Sequence, residues 1–164
     1  MIPILSVVGY SDSGKTTYLE RLIPELVKRG IRITVVKHDV HGFEVDTPGK
    51  DSFRLKQAGS ATAVISSPEK IAVIADTDRD LTLAEIRDRF GGDADLILSE
   101  GYKNDVHPKI EVFRRGVHTS LLCSNDETLF AIAADTDLTA PVPVFPLDDP
   151  SRMADLIMEK ILGR

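Results

Sequence analysis

The sequence offers little support for a secreted, membrane-embedded or nucleic-acid-binding protein. Its 164 residues contain one cysteine, Cys123, which excludes an internal disulfide framework and fits a reducing compartment. No apolar run approaches the roughly 18 residues of a membrane span, and no basic and apolar leader precedes the first candidate strand. The 20 basic and 26 acidic residues give a formal charge of −6, so we expect no broad electropositive face. We therefore expect a cytoplasmic protein that binds neither nucleic acid nor a membrane.

The chain also lacks internal repeats, low-complexity tracts and recognisable linkers. With 42% hydrophobic residues, a chain of 164 residues can bury roughly two-thirds of its unfolded surface in one core. We predict a single domain over residues 1–164.

What the chain does contain is a complete G-x-x-x-x-G-K-[ST] motif, Gly-Tyr-Ser-Asp-Ser-Gly-Lys-Thr, at residues 9–16. An apolar run at 2–8 predicts a buried strand before it, and apolar residues at helical spacing up to Gly30 predict a helix after it. Glycines let the backbone wrap a phosphate with its N–H groups, and the helix N-terminus adds partial positive charge. Lys15 would then reach the β- and γ-phosphates, and the Thr16 hydroxyl would ligate Mg²⁺. The sequence predicts a nucleotide-binding P-loop.

Candidate strands and helices alternate along the rest of the chain. This predicts an α/β fold of the P-loop NTPase type: a mostly parallel, doubly wound sheet flanked by helices, with some antiparallel strands. Pro24 lies within the first helix and predicts a kink there. A tight turn at 67–69 predicts a hairpin. The other candidate strands are 31–36, 61–66, 70–75, 95–98, 109–114, 119–123, 129–134 and 142–145, and the other candidate helices are 51–58, one between Thr82 and Gly91, and a last one from Pro150.

A P-loop needs an acidic group near Mg²⁺ at the end of a buried strand, and the strand at 95–98 has two acidic neighbours. Asp95 begins this strand, whereas Glu100 follows its carboxyl end. Because ligands of such sheets sit at the carboxyl ends of the strands, Glu100 is the better placed metal ligand. A solvated loop carboxylate is the alternative interpretation of Glu100.

The segment at residues 37–50 is too long and too polar for a simple connection, and it follows the second strand toward the same edge as the P-loop. Lys37 could contact a phosphate, and Asp46 could act on Mg²⁺ indirectly, through one of the ligands of the metal. His38 and His41 form only a weak metal-site pattern, because a tetrahedral zinc site would need further ligands. Solvated loop residues remain the alternative for this segment.

Base specificity has a weaker signal. Nothing in the sequence matches the Asn-Lys-x-Asp stretch with which GTP-specific switch proteins typically read guanine. Asp135 follows the apolar strand at 129–134 and could accept the guanine N–H protons instead, although a turn-forming aspartate is the alternative. Three basic residues on or near another candidate strand are interpreted first as surface or interface charges: Lys109, Arg114 and Arg115.

Three further stretches resemble the MobB proteins of molybdopterin-guanine dinucleotide biosynthesis. The first, at 37–59, contains Pro-Gly-Lys-Asp-Ser and separates this family from other P-loop proteins. The second, Asp-Leu-Ile-Leu-Ser-Glu-Gly-Tyr-Lys at 95–103, matches an acidic strand end followed by an aromatic residue and a lysine, although the family often has an apolar residue at Ser99. The third is His-Pro-Lys-Ile-Glu-Val at 107–112. With the P-loop, the resemblance covers residues 2 to about 113.

The resemblance implies a GTP-binding homodimer with weak hydrolysis. Such a protein acts as an adapter beside molybdopterin guanylyltransferase, the nucleotidyltransferase that joins GMP to molybdopterin, and beside other molybdenum cofactor proteins. It implies GTP and Mg²⁺ as cofactors, Lys15 and Glu100 as catalytic residues, and residues 37–51 as a neighbouring loop. The phosphate-binding residues that it implies are Gly9, Ser11, Asp12, Ser13, Gly14, Lys15, Thr16 and Thr17.

For the homodimer we expect the strand-rich region at residues 109–134 to be the contact, because it is long enough to leave the main sheet and to expose a strand edge. We also expect slow intrinsic hydrolysis, because no glutamine or arginine adjoins the P-loop or Glu100 in sequence. Arg54 is the nearest candidate cation. A P-loop small-molecule kinase that uses ATP or GTP is the competing hypothesis, and the lack of a recognisable arginine-bearing lid favours the adapter.

Overall fold

The computed structural model describes all residues from 1 to 164, and the chain divides into two compact units. The first unit combines Met1–His38 with Leu83–Arg164, and the second is Asp39–Thr82. The strands are β1 Ile4–Val8, β2 Ile33–Lys37, β3 Thr62–Ser66, β4 Ile71–Ala75, β5 Leu96–Glu100, β6 Lys109–Phe113, β7 Leu129–Ala134 and β8 Val144–Pro146. The helices are α1 Lys15–Lys28, α2 Asp51–Gln57, α3 Leu83–Phe90 and α4 Pro150–Lys160.

The first unit is built on a six-stranded sheet in the order β2-β5-β1-β6-β7-β8, in which every pairing is parallel. β1 is buried along its whole length, as expected for a parallel strand covered on both faces. Together with the separate antiparallel hairpin of the second unit, this confirms the predicted fold class.

Helices α1 and α4 pack on one face of this sheet. Leu22 and Leu26 of α1 and Met153 and Ile157 of α4 are completely buried in the largest apolar cluster. α1 runs through Pro24 without interruption and ends after Lys28 in a Schellman motif, in which the Ile31 N–H donates to the Leu26 carbonyl at 3.2 Å. The predicted stop at Gly30, whose φ is 80°, is confirmed.

The segment at 119–123 is not a strand, so that prediction is wrong. Its amides turn inward instead, because the N–H groups of Leu122 and Cys123 donate to the buried carboxylate of Glu111 on β6 at 2.6 and 2.9 Å. Burial raises the pKa of the Cys123 thiol to about 11.

Lys109 is not a surface charge, which corrects the interpretation from sequence. Its side chain is buried at the start of β6, where Nζ lies 3.0 Å from a carboxylate oxygen of Asp126 and donates to the Thr128 hydroxyl. The expectation that residues 109–134 leave the main sheet is also wrong, since β6 and β7 each have a parallel neighbour on both edges. No free strand edge is available there for a dimer contact.

The second unit consists of α2 and the antiparallel hairpin of β3 and β4, which confirms the predicted hairpin. Its turn is closed by Ser67, whose amide donates to the Lys70 carbonyl at 2.8 Å and whose hydroxyl accepts from the Lys70 amide at 3.0 Å. Both strands expose apolar side chains, among them Val64, Ile71 and Val73. None of the helices in the chain combines the length and hydrophobicity that a bilayer crossing requires.

The Lys109–Asp126 contact generates a prediction about acid stability. Hydrogen bonds from Thr128, followed by the Lys109 ammonium, lower the pKa of Asp126 from 3.8 to about 2. A carboxylate with a depressed folded-state pKa stabilises the protein above its unfolded pKa and loses that contribution as the pH falls through the folded value. We expect Asp126→Asn to lower the free energy of unfolding by about 2 kcal/mol at pH 7, with a deficit that shrinks between pH 4 and pH 2.

Urea denaturation of both proteins across this pH range measures the deficit. A deficit that does not change with pH would mean that the Asp126 charge is not the stabilising feature.

Candidate functional site

The G-x-x-x-x-G-K-T motif forms the loop between β1 and α1, as predicted. Three of its residues have positive φ: Gly9 at 146°, Asp12 at 61° and Gly14 at 88°. The Lys15 ammonium turns back over the loop and donates to the carbonyl oxygens of Tyr10 at 2.8 Å and Gly9 at 3.2 Å. The loop therefore turns back on the helix start, with the lysine ammonium held by two of its backbone carbonyls.

The N-terminus of α1 has no side-chain cap, because Gly14 occupies the capping position. The first turn of a helix leaves amide N–H groups without intrahelical partners, and here they open toward the loop. In the loop directly before the helix, the Ser13 hydroxyl is buried without a hydrogen-bond partner. An uncapped helix start behind a glycine-rich loop is suited to an anion such as a phosphate.

Gly9 fixes how closely the loop approaches the sheet. A Cβ at this position would lie 2.6 Å from the Val112 carbonyl oxygen and 2.7 Å from the Ser13 hydroxyl. Only glycine fits this space, and only glycine readily adopts this φ. The first glycine of the motif thus anchors the loop against β6.

An oxygen pair suitable for a divalent cation lies beside the loop. The Thr16 hydroxyl donates to the Glu100 Oε2 carboxylate oxygen at 2.8 Å, and the Lys37 ammonium lies 4.0 Å from Oε1. The parallel register explains this meeting, because Glu100 at the end of β5 pairs with Val7 of β1 and with Lys37 of β2. The structure therefore brings together Thr16, Glu100 and Lys37, as the sequence predicted.

Asp95 lies at the opposite end of β5 and takes no part in this group. Its carboxylate accepts from the Arg32 amide at 3.0 Å and from the Arg164 guanidinium at 3.3 Å. These contacts, with the Arg32 amide as the largest cause, lower the pKa of Asp95. The preference for Glu100 over Asp95 thus agrees with the geometry.

Opposing effects act on the pKa of the Lys15 ammonium. Partial burial lowers the pKa of the ammonium, while the carboxylates of Glu100 and Asp12 act to raise it. A lysine that has lost part of its hydration and carries no direct ion pair is available for an anionic partner.

The loop that follows β6 packs against the outer side of the P-loop, which sequence reasoning missed. The His118 ring stacks on Tyr10 at a centroid distance of 4.5 Å, and its Nε2 lies 2.8 Å from the Ser11 carbonyl oxygen. Arg114 places its guanidinium against Gly14, with Nη2 3.2 Å from the position of a Cβ there. The sequence showed the basic pair but gave no sign that β6 lies next to β1.

A cleft of about 900 Å³ opens beside Arg114, at the carboxyl ends of β7 and β8. Asp135 stands in its wall, held by the Arg115 amide, which donates to its Oδ1 at 2.8 Å. The walls carry three arginines and three aspartates among shorter and apolar side chains. The charged residues are Arg21, Arg114, Arg152, Asp135, Asp137 and Asp148.

The sequence also matches a known protein family. The family model of MobB, molybdopterin guanine dinucleotide synthesis protein B, matches residues 4–135. The chain belongs to the MobB family. It is 39% identical over 157 residues to the molybdopterin-guanine dinucleotide biosynthesis adapter protein of Haemophilus influenzae, covering 95% of this chain and 88% of that protein. The Escherichia coli adapter protein is 37% identical over 163 residues, covering 97% and 93%.

Solved MobB structures have the same fold. A crystal structure of molybdopterin-guanine biosynthesis protein B superimposes with a TM-score of 0.73 at 30% identity, covering 98% of this chain and 99% of that one. The crystal structure of Bacillus subtilis MobB gives the same score and identity, with 96% of each chain covered. The family resemblance seen in the sequence over residues 2 to about 113 is confirmed, since the family model matches residues 4–135.

Two residues that sequence reasoning assigned to this MobB-family site belong to the second unit. Asp46 accepts from the Thr47 amide at 2.8 Å and from the Ser52 hydroxyl at 3.1 Å through Oδ1, while its Oδ2 is buried without a partner. Arg54 lies on α2 at 3.5 Å from Asp51. Their proposed roles stay predictions.

Proposed function

We propose that this chain is a GTP-binding adapter protein in molybdopterin guanine dinucleotide biosynthesis. The single observation that carries the nucleotide part is the joint placement of Lys15, Thr16 and Glu100 at an uncapped helix start behind the glycine-rich loop. The adapter role follows from family membership and from the names of the H. influenzae and E. coli relatives.

The residues present fit a Mg²⁺-bound triphosphate. In this proposal, the Thr16 hydroxyl and the Glu100 carboxylate offer oxygens to the metal, directly or through its water, and Lys15 moves from the loop carbonyls to the phosphates. Bound Mg²⁺ would neutralise part of the phosphate charge. Lys37, close to the same carboxylate, adds a second positive charge at this end of the site.

The guanine base fits the cleft beside Asp135. One carboxylate oxygen of Asp135 is held by the Arg115 amide, which fixes the side chain and leaves the other oxygen for the base N–H groups. The cleft is of the size of small-molecule sites in general. We expect slow intrinsic hydrolysis, and the physiological partner to be the guanylyltransferase of the same pathway, in the cytoplasm.

Isothermal titration of GTP and ATP, each with Mg²⁺, tests the proposal directly. We expect GTP to bind more tightly than ATP to the unchanged protein, and Lys15→Ala to lose at least tenfold in GTP affinity, because contacts to charged groups contribute roughly 1.5–3 kcal/mol each. Lys28→Ala, which removes a lysine from the far end of α1, is the matched control and should bind normally. Equal GTP affinity in Lys15→Ala would contradict the P-loop assignment. A preference for ATP with phosphate transfer to a metabolite would favour the kinase alternative.

Glu100→Gln should weaken the Mg²⁺ dependence of nucleotide binding more than it weakens binding without metal. The reason is that Mg²⁺ prefers carboxylate and water oxygens to a neutral amide oxygen. Titration of Mg²⁺ at fixed nucleotide concentration measures the change. Asp95→Asn, at the other end of β5, is the control, and an unchanged Mg²⁺ midpoint in Glu100→Gln would transfer the acidic role to Asp46.

We further propose that the protein is a homodimer whose contact includes the β3–β4 hairpin. A two-stranded sheet with apolar side chains exposed on both strands is only marginally stable by itself in water. A second copy of the same hairpin would cover these side chains and satisfy a free strand edge.

Val64→Asp places a charge on this hairpin, where the wild-type side chain is 57% exposed. We expect light scattering at micromolar concentration to show twice the chain mass of 18.0 kDa for the wild type and the single chain mass for Val64→Asp. Val106→Asp, at an exposed valine of the first unit, should remain dimeric. A wild-type species of 18.0 kDa would refute the dimer.

A further inference from the structure

Arg114 places a second cation beside the P-loop, next to Gly14. It is the first residue after β6, and three atoms of its guanidinium lie within 4 Å of the Cβ position on Gly14, at 3.2, 3.8 and 3.9 Å. The guanidinium thus covers the last glycine of the loop, directly before Lys15. The same side chain lines the cleft that contains Asp135.

The backbone around Arg114 is held from both sides. The next residue, Arg115, donates its amide to Asp135, and the amides of Val117 and His118 both donate to the Arg114 carbonyl at 3.3 Å. The His118 ring is fixed by its contacts with Tyr10 and Ser11. The turn that carries Arg114 is therefore held in place at its backbone, beside the P-loop.

No carboxylate forms an ion pair with the Arg114 guanidinium, although it lines a cleft with three aspartates. Four of the eight other arginines of the first unit are ion-paired, namely Arg29, Arg32, Arg87 and Arg164. An exposed guanidinium, held beside a phosphate-type loop and left without an anion, is suited to a bidentate contact with phosphate oxygens.

The order of the strands indicates which part of a bound nucleotide would lie near Arg114. β6 and β5 flank β1 on opposite edges, so Arg114 and the Thr16–Glu100 pair lie on opposite sides of the loop. β7, which carries Asp135 at its end, is the next strand beyond β6. A nucleotide with its terminal phosphate near Glu100 and its base near Asp135 would pass Arg114 at the phosphates next to the ribose.

We propose that Arg114 is a nucleotide-binding residue that contacts the α- and β-phosphates of the nucleotide bound in the same chain. This rests on the proposed function, and it differs from a role on the γ-phosphate. A contact to the α- and β-phosphates strengthens binding of diphosphate and triphosphate alike. A cation at the γ-phosphate would act on the triphosphate and on turnover.

Titration of Arg114→Ala with GDP and GTP in the presence of Mg²⁺ tests this. We expect both affinities to fall by the same factor, roughly tenfold to a hundredfold, with partial recovery in Arg114→Lys, which restores the charge without the fork. Arg115→Ala removes the same charge from the adjacent position while keeping the backbone N–H, and it should bind both nucleotides as the wild type does. If adenine nucleotides bind better, ADP and ATP replace GDP and GTP.

The outcomes separate this inference from the proposed function. Unchanged affinity in Arg114→Ala, with the loss in Lys15→Ala intact, overturns the role of Arg114 alone. A loss confined to GTP overturns the assignment to the α- and β-phosphates. A wild-type protein that binds neither nucleotide overturns both. Thermal melting of each variant verifies that a lost affinity is not a lost fold.

Discussion

The parallel pairing of β1 with β5 on one edge and with β6 on the other is the constraint on which the candidate site depends. In a parallel sheet the carboxyl ends of neighbouring strands lie at the same edge, so the side chains that follow these strands meet there. β5 delivers Glu100 to Thr16 on one side of the P-loop, and β6 delivers Arg114 to Gly14 on the other. Gly9 completes the arrangement, because any side chain there would collide with the Val112 carbonyl of β6.

The same strand order places different charges on the two sides of the P-loop. On the β5 side a carboxylate stands between a hydroxyl and a lysine, which is the chemistry of a divalent cation with its phosphate ligands. On the β6 side, Arg114 has no acidic partner and lines the same cleft as Asp135. This distribution of charge supports the orientation that we propose for the nucleotide, with the metal near Glu100 and the base near Asp135. The lysine between the two sides bonds only to loop carbonyls, so a phosphate replaces weak contacts rather than an ion pair.

Local sequence signals predicted much of this arrangement. The P-loop, Glu100 and Lys37 could be placed because each follows an apolar strand, and the rule about carboxyl ends then brings them together. Arg114 and His118 could not be placed in this way, because their position depends on β6 lying next to β1. The spacing of apolar residues predicts strands but not their order in the sheet. The predictions for Lys109 and for the segment at 119–123 failed for a related reason. On β6 the buried Lys109 ammonium pairs with Asp126, and the buried Glu111 carboxylate accepts from amides of that segment, and neither pairing can be read from the local sequence. The segment Thr-Ser-Leu-Leu-Cys at 119–123 is not a strand, because the amides of Leu122 and Cys123 donate to the Glu111 carboxylate.

The central claim is that one nucleotide spans the P-loop from the Thr16–Glu100 pair to the cleft at Asp135. A crystal structure of this protein with Mg²⁺ and a non-hydrolysable GTP analogue measures it most directly. We expect phosphates enclosed by residues 9–17, the metal at the Thr16 hydroxyl beside Glu100, Arg114 at the phosphates next to the ribose, and the base against Asp135. A nucleotide bound elsewhere, or one whose base lies on the β2 side of the loop, would contradict it.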